Sequence, residues 1–462
     1  MTALEFDTTA LIEAGVNSTS VTAGAKLVLA YSGGVDSEIL AQGLASYAKQ
    51  HPEYHYLLVH VHHGLSLNAD AWAKHCEIQA LHYQLPIDII RVQVNTGPRL
   101  SIEAEARIAR YKAIKALMDT GDILLTAHHL DDQLETVLLA LKRGLGPKGL
   151  SAMGAVQQFD GDKVLLRPLL SIDRAQIEAK AEILALQHIE DESNTDDKYD
   201  RNFLRLEIIP KLKARWSAIA TTASRSAALC AQQQSVIDSE VSLRLPEFIE
   251  KVIHGNGIAL NLTLLGKQTS HWQMLLFRGY VEQLKFAPPS QVQLKQLLNQ
   301  LLLAKPDAKI ELRIGDMLVR RFKGMAYFSS FKQEEVEQVT QLNIEVNFTL
   351  MKQDSAIQLS LSLNRCVDVI KAYEGERVRM PDTNEVTTVR FSLLGSTLCH
   401  PHNRQQSRQL KKLWTEYGIP PWERGKVPLI FYNERLVCAV GYWIEKSFLC
   451  LGRSTGLLFT VN

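Results

Sequence analysis

The sequence predicts an α/β protein. Its N-terminal part reads as a doubly wound parallel sheet, followed by a mainly helical middle domain and a smaller α+β C-terminal domain. Three observations predict this. Strand-like and helix-like segments alternate from Lys26 to about Leu170. The strand-like runs are continuously apolar, as parallel strands covered on both faces must be. Polar clusters then fall at the carboxyl ends of those runs, where open α/β sheets bind ligands.

The strands read LVLAY, YLLVHVH, IDIIRVQV, DILLTAHH and KVLLRPLL. Between them, 38–49, 68–83, 101–119 and 131–143 carry apolar residues at helical spacing. A second unit begins after Trp216 with an Ala/Ser/Gln-rich helix-like stretch, 218–235, suited to link domains. Its body has helix-like runs at 270–284 and 290–303 and closes on a β-like stretch, KIELRIGDMLVRRFKGMAYFSS. A third unit, from about Leu342, opens on alternating IQLSLSL and holds a dense motif region from Arg377 to Lys446. The expected domains are therefore 1–216, 217–341 and 342–462, with no internal repeat.

At 462 residues the chain exceeds one ordinary core. A formal charge of +1 conceals local patches, so nucleic-acid contact has to be judged segment by segment. Six cysteines lie far apart without a CxxC pair, which excludes a cysteine-rich zinc ribbon and gives no sign of a disulfide framework. The N-terminus lacks a basic region followed by an apolar one, and no apolar run reaches membrane length. The expectation is a soluble, cytoplasmic protein without a membrane partner; a homodimer stays open.

Residues 32–37, Ser32-Gly33-Gly34-Val35-Asp36-Ser37, join the first strand to the first helix of the sheet. Such a loop offers free backbone N–H groups and a positive helix end to an anion. The glycines permit close approach, and the Ser32 and Ser37 hydroxyls can donate. Without a Gly-Lys-Ser/Thr this is not a Walker loop. Asp36 inside a phosphate loop is tolerable only where Mg²⁺ bridges the charges. The plain alternative is a Gly-Gly turn followed by a helix cap.

The stretch Thr126-Ala127-His128-His129-Leu130-Asp131-Asp132-Gln133-Leu134-Glu135-Thr136 is the second signal. Asp131 or Asp132 would cap the helix while the other carboxylate joins Glu135, neighbours on one helical face, in the cleft. The alternative is an acidic first turn of an ordinary helix. Neither this His pair nor His60/His62/His63 has the spacing that sets zinc ligands on one helix. Gly144-Leu145-Gly146-Pro147-Lys148-Gly149 matches GxGxxG but follows a helix, so it reads as a loop. Glu103, Arg107 and Arg110 share a helical face, and Arg201 and Arg205 share another that could clamp phosphate or RNA backbone.

The SGGxDS loop resembles that of the N-type ATP pyrophosphatases, the PP-loop or adenine-nucleotide α-hydrolase-like proteins, which cleave ATP between the α- and β-phosphates. With HHxDDxxET, the xEAxAR–RY helix, and DxSN followed by RNxxR, residues 26–216 resemble the tRNA(Ile)-lysidine synthetases. The resemblance resumes at Gln409-Leu410-Lys411-Lys412-Leu413-Trp414 and Gly418-Ile419-Pro420-Pro421-Trp422-Glu423-Arg424. It implies ATP-dependent ligation of L-lysine to C2 of the first anticodon cytidine in a tRNA(Ile) with a CAU anticodon. It also implies that 32–37 bind ATP, that Asp36 and Asp132 hold Mg²⁺, and that Arg107 steadies the adenylate phosphate. His129, Asp132 and Glu135 become candidates for handling the lysine ammonium, with Glu135 recognising it. Arg201 and Arg205 would approach the anticodon loop, and Arg408, Lys411 and Lys412 would contact tRNA. A PP-loop tRNA thiolase is the rival, weakened because Cys76 is the only cysteine in the first domain. A non-catalytic nucleotide-binding α/β protein would not need the carboxylates at 132 and 135.

Overall fold

Leu27, Val28 and Leu29 are all fully buried in β1 (Lys26–Ala30), although consecutive strand residues point to opposite faces. Both faces must therefore be covered. On one side Leu27 and Leu29 pack against Ile12, Ile39, Leu44 and Ile177. Those residues come from α1 (Thr8–Asn17), α2 (Val35–Gln50) and a later helix, Arg174–Ile183. On the other side Val28 meets Val59, Ile114, Met118, Leu124 and Leu165. The computed structural model describes residues 6–95, 97, 102–192, 198–252, 257–305, 308–332, 346–348, 356–360, 366–452 and 454–461.

The sheet continues through β2 (His55–His62), β3 (Ile87–Arg91), β4 (Ile123–Leu125), β5 (Val156–Phe159) and β6 (Lys163–Leu166). Its order is β3-β2-β1-β4-β6-β5, parallel throughout except for β5, which pairs antiparallel with β6. The crossovers carry α2, α3 (Ala69–Tyr83), α4 (Ile102–Lys115), α5 (Leu130–Lys142) and the short α6 (Pro147–Leu150), and α7 (Arg174–Ile183) follows the last strand. From β1 the chain builds outward to β3 on one side, then returns to place β4 and β6 on the other. Strand order thus reverses between β1 and β4, and their carboxyl ends open the crevice expected of this topology. The nucleotide-type loop leaves β1 and the His-His-Asp segment leaves β4, so the two motifs meet there. Ser101, Ser193 and Asn194 lie outside the described residues.

Past α7 the chain forms α8 (Asp200–Phe203), a π-helical stretch Leu204–Ile208 and α9 (Ile209–Arg215). Pro210 explains the widening, since its ring clashes with the preceding turn and it has no N–H for the α-helical ladder. Helix α10 (Ile219–Arg244) then runs for 26 residues, about 39 Å at 1.5 Å each. The chain divides into two compact units, Met1–Ile237 and Asp238–Asn462.

In the second unit, β7 (Ile249–Lys251), β8 (Ile258–Asn261), β9 (Glu311–Ile314), β10 (Met317–Phe322) and β11 (Met325–Ser330) form an antiparallel sheet ordered β7-β8-β11-β10-β9. Lys323 and Gly324, both at positive φ, close the β10–β11 hairpin with a two-residue turn. Helices α11 (Leu262–Gly266), α12 (Ser270–Gln283) and α13 (Gln291–Leu303) bury Leu265, Phe277, Tyr280, Leu294 and Leu301 against Val319 and Phe328. The C-terminal part sets two five-stranded antiparallel sheets around Val367, Val369, Val389, Ile430, Tyr432 and Phe459. Of IQLSLSL, the structure describes a strand over Ala356–Ser360, and the rest lies outside the described residues. Helix α14 (Leu410–Glu416) buries Leu410, Leu413 and Trp414 beside Ile419, Phe431 and Trp443. Trp422 stands edge-on to Phe322 and Tyr327 under the Arg320 guanidinium, and so ties the Pro-Pro-Trp segment to β10 and β11.

Candidate active site

Gly34 is the N-cap of α2 and supplies no side-chain cap, so the first-turn N–H groups remain available to an anion. Gly33 sits at φ +83°, and its carbonyl accepts from Ile189 N at 2.8 Å. A Cβ there would lie 2.4 Å from Ile189 Cδ1 and 3.0 Å from Cys76 Sγ, so glycine is required twice over. Ser37 Oγ accepts from Gly33 N at 3.0 Å and donates to Gly34 O at 2.9 Å. It therefore braces the loop, while Ser32 is exposed and Val35 is buried at the helix start.

Beneath the loop Glu38 is fully buried. It accepts from the Tyr31 and Tyr83 hydroxyls, and His75 Nε2 lies 3.2 Å away. Burial raises the Glu38 carboxyl above its ordinary range even against these three partners. The network pins the first turn of α2 to β1 and α3. Sequence reading missed it; the available signal was an acid on the buried face of an amphipathic helix.

The carboxylates converge from two helices. Asp36 Oδ2 accepts from Arg174 Nη1 at 2.5 Å, while its buried Oδ1 has no hydrogen bond. His129 Nε2 stands between two acids, 3.8 Å from Asp36 Oδ1 and 3.5 Å from Asp132 Oδ2. Asp132 Oδ2 accepts from His129 N at 3.0 Å, and Oδ1 from Arg205 Nη2 at 3.0 Å. Arg205 also grips the fully buried Glu135, with Nε 2.7 Å from Oε1 and Nη2 3.2 Å from Oε2. Arg201 Nε approaches Glu135 Oε2 at 3.6 Å. Asp132 thus both caps α5 and faces the cleft. Asp131 instead binds Lys213 Nζ at 2.5 Å and Arg174 N at 3.1 Å.

Burial raises the Asp36 carboxyl despite His129 and Arg174. Burial also pushes on Asp132, but His129, His128, the His129 N–H and Arg205 outweigh it and hold that carboxyl below its ordinary range. Burial raises Glu135 against Arg205. Neighbouring acids displaced in opposite directions are the usual basis for dividing proton-handling roles. Among the described residues no group of three or more His, Cys, Asp or Glu forms a metal cage. That is no obstacle to Mg²⁺, which takes one or two carboxylates and completes its shell with water and phosphate. The unpartnered Asp36 Oδ1 beside Asp132 fits such an ion.

The other predicted residues go separate ways. His60 Nδ1 faces Tyr31 O and Cys76 Sγ, His62 pairs with Asp70, and His63 meets Arg110. Burial and Arg110 bring His63 down to about 4. Arg107 is exposed on α4 over the Tyr111 ring. His128, 2.9 Å from Thr126 Oγ1, is lowered to about 4 by burial against the pull of Asp132, with Arg167, Arg107 and Arg201 acting in the same direction as burial. In the second unit Arg408, Lys411 and Lys412 are exposed, whereas Arg424 Nε is spent on Ile419 O and Lys426 Nζ faces Glu423.

Residues 8–212 match the PP-loop domain family, 260–327 the TilS substrate binding domain and 387–460 the TilS substrate C-terminal domain. The tRNA(Ile)-lysidine synthase of Shewanella woodyi is 67% identical over 100% of this chain and 98% of its own length. The chain belongs to the tRNA(Ile)-lysidine synthase family. The Shewanella oneidensis synthase is 51% identical, covering 96% of this chain and 97% of its own, and that of Vibrio vulnificus is 38% identical over 92% and 94%. Among solved structures, a U34-tRNA thiolase from Methanococcus maripaludis aligns with a TM-score of 0.40 at 19% identity, over 54% of this chain and 83% of that one. Against this tRNA(Ile)-lysidine synthase background, sequence reading had missed Arg174, Lys213 and Arg167. Arg174 carried one usable signal, the Asp173-x-x-Gln176 capping box that opens α7 beside it.

Proposed function

We propose that the protein ligates L-lysine to C2 of the cytidine at the first anticodon position of tRNA(Ile) with a CAU anticodon. ATP adenylates the C2 carbonyl oxygen with release of pyrophosphate. The lysine ε-amine then forms the C2–N bond as the C2–O bond breaks and AMP leaves. The enzyme is a ligase forming a carbon–nitrogen bond. One observation carries this reading: Asp36 from the nucleotide loop and Asp132 from α5 flank a single imidazole, His129, at the switch point of the sheet.

Residues 32–37 bind the ATP phosphates through the open end of α2. Asp36 and Asp132 would hold Mg²⁺, which neutralises charge on the leaving pyrophosphate. Arg107 steadies the adenylate phosphate. Between Asp132 and Glu135 a cation already resides, the Arg205 guanidinium, which supports reading that pair as the place where an ammonium is recognised. The lysine must lose a proton before it attacks, and His129 is the group we assign to take it. We assign Arg201 and Arg205 to the side of the site that the anticodon loop approaches, and Arg408, Lys411 and Lys412 to tRNA contacts elsewhere. The three-part division at 216 and 341, a cytoplasmic location and assembly as a homodimer belong to the same proposal. Among the described residues no helix is long and apolar enough to cross a membrane.

A thiolase reading would need a reactive thiol. Cys76 is fully buried, and burial together with Glu38 lifts its thiol far above the neutral range. The test is incorporation of radiolabelled lysine into transcripts of tRNA(Ile) and tRNA(Met), both with CAU anticodons. Labelling of tRNA(Ile) alone is expected; no labelling of either refutes the reading.

A further inference from the structure

The acid pair assigned to the lysine ammonium is already taken. Arg205 donates Nε to Glu135 Oε1 at 2.7 Å, and its Nη2 to Glu135 Oε2 at 3.2 Å and Asp132 Oδ1 at 3.0 Å. Arg201 Nε stands 3.6 Å from the same Glu135 Oε2. Under these guanidiniums Glu135 has no exposed surface, while the Arg205 side chain is 38% exposed. Both Glu135 oxygens are occupied, so an ammonium can be bound there only where a guanidinium now lies.

Keeping Arg205 in place does not help. An ammonium beside it would set two cations against the same two carboxylates, with Arg201, shared with Glu103 at 3.9 Å, as a third. Like charges at close range in a buried site repel strongly. A neighbouring pair shows what a purely structural contact looks like. Asp131 is held by Lys213 and by the Arg174 N–H, and the reaction does not use that acid. Arg205 instead spends its hydrogen bonds on the two acids that the reaction needs. It is also carried on the π-helical stretch Leu204–Ile208, an irregularity that recurs at functional sites. A displaced guanidinium needs a new anion. Both other substrates, tRNA and ATP, bring phosphate, which arginine binds through its planar fork.

We propose that Arg205 gates the lysine site: its guanidinium holds the seat between Asp132 and Glu135 until a substrate phosphate, from the tRNA backbone or from ATP, draws it away. Lysine then enters after the substrate that prepares its target. The inference rests on the lysine-ligase reading above and adds the order in which the substrates bind.

The test measures binding of radiolabelled lysine to the full chain by equilibrium dialysis, with the protein alone, with tRNA(Ile), or with α,β-methylene ATP and Mg²⁺. No arm allows turnover. In wild type, one phosphate source should tighten lysine binding about tenfold, and by linkage lysine should tighten binding of that substrate by the same factor. The arm that responds identifies the source. Arg205→Ala should bind lysine about tenfold more tightly than wild type with no other substrate present, and should lose the coupling. Arg205→Lys brings its own ammonium to the same acids and should keep free lysine out as wild type does. Equal lysine affinity in all three wild-type arms overturns the proposal. So does a folded Arg205→Ala protein whose lysine affinity is unchanged or weaker. Should Arg205→Ala not fold, the wild-type arms decide. Lysine binding indifferent to Glu135→Gln would overturn the site assignment and the gate with it. Wild-type protein that shows the coupling yet transfers no lysine to tRNA(Ile) would defeat only the ligase reading.

Discussion

Replacing Asp36 with Asn should abolish adenylation while leaving the fold almost untouched. The carboxylate has two opposed roles in stability. Its Oδ2 pairs with Arg174 Nη1 at 2.5 Å, a charge-assisted contact of about 1.5–3 kcal/mol at most. Arg174 is 39% exposed and keeps Glu178 at 2.6 Å, so the loss is discounted to about 1 kcal/mol. Against it, Oδ1 is buried without a partner, which costs about 1–3 kcal/mol and is relieved by a neutral amide. The net change stays within about 1 kcal/mol, a shift of roughly 2–4 °C in Tm for a unit of this size. The sign of the pH dependence follows from burial, which raises the Asp36 carboxyl. The folded protein binds that proton more tightly than the unfolded one, so wild type loses stability relative to Asp36→Asn as pH rises above the ordinary carboxylate range. Function should respond far more steeply. Loss of preorganised charge stabilisation at the leaving pyrophosphate is worth about 10²- to 10³-fold in rate. ATP–pyrophosphate exchange with tRNA(Ile) and without lysine, run beside melting curves, separates the two effects. Exchange near the wild-type rate in a folded variant would refute the metal role.

Glu135→Gln should raise the lysine KM about tenfold or more with little change in the ATP requirement, because a buried counter-charge to an ammonium is worth about 2–5 kcal/mol; an unchanged lysine KM moves the amino-acid site elsewhere. The depressed Asp132 carboxyl contributes stability above its unfolded value near 3.9, lost as pH falls through the folded one. Asp132→Asn should therefore lower Tm at pH 7 and lose that effect in acid, and a pH-independent difference would contradict the linkage. With all six cysteines changed to serine, lysine transfer should survive apart from packing losses, and Cys76 in the native protein should resist alkylation at pH 8; loss of transfer in folded Cys76→Ser would revive the thiolase. Lys411→Ala with Lys412→Ala should weaken tRNA binding and lower the salt slope by about two without altering ATP affinity, because both side chains are exposed on a helix anchored by Leu413 and Trp414. Wild-type affinity and slope would remove this helix from the tRNA interface.

The parallel sheet was legible because burial on both faces writes itself into the chain as continuous apolar runs, and β1, β2, β3, β4 and β6 each carry one. The antiparallel edge strand β5 was not. Val156-Gln157-Gln158-Phe159 lies mostly exposed at the sheet margin, so it needs neither an apolar run nor strict alternation, and only the Asp160-Gly161 turn at positive φ marks its hairpin. The C-terminal sheets were blurred for a related reason. Their strands include two- and three-residue pieces, too short for a period of two to show.

The site divides along the same line. Local grammar announced the loop at 32–37 and the acids of α5, since a strand–turn–helix junction and i, i+3 spacing are read within a dozen residues. What gives those groups their charge states is non-local: Arg174 meets Asp36 across 138 positions, and Arg205 meets Asp132 across 73. Both arginines sit on ordinary-looking helical segments, and nothing in their neighbourhood distinguishes them from solvated cations. The topology does distinguish them. α7 follows β6 and packs back on α2, while the widened turn before Pro210 delivers Arg205 to α5. A carboxylate left alone in this crevice would take up a proton as its burial deepens. Arg174 and Arg205, supplied from elements after the last strand, oppose that at Asp36, Asp132 and Glu135. The acids that a short motif can place in a cleft therefore depend, for the ionisation their proposed roles require, on parts of the chain the motif does not contain.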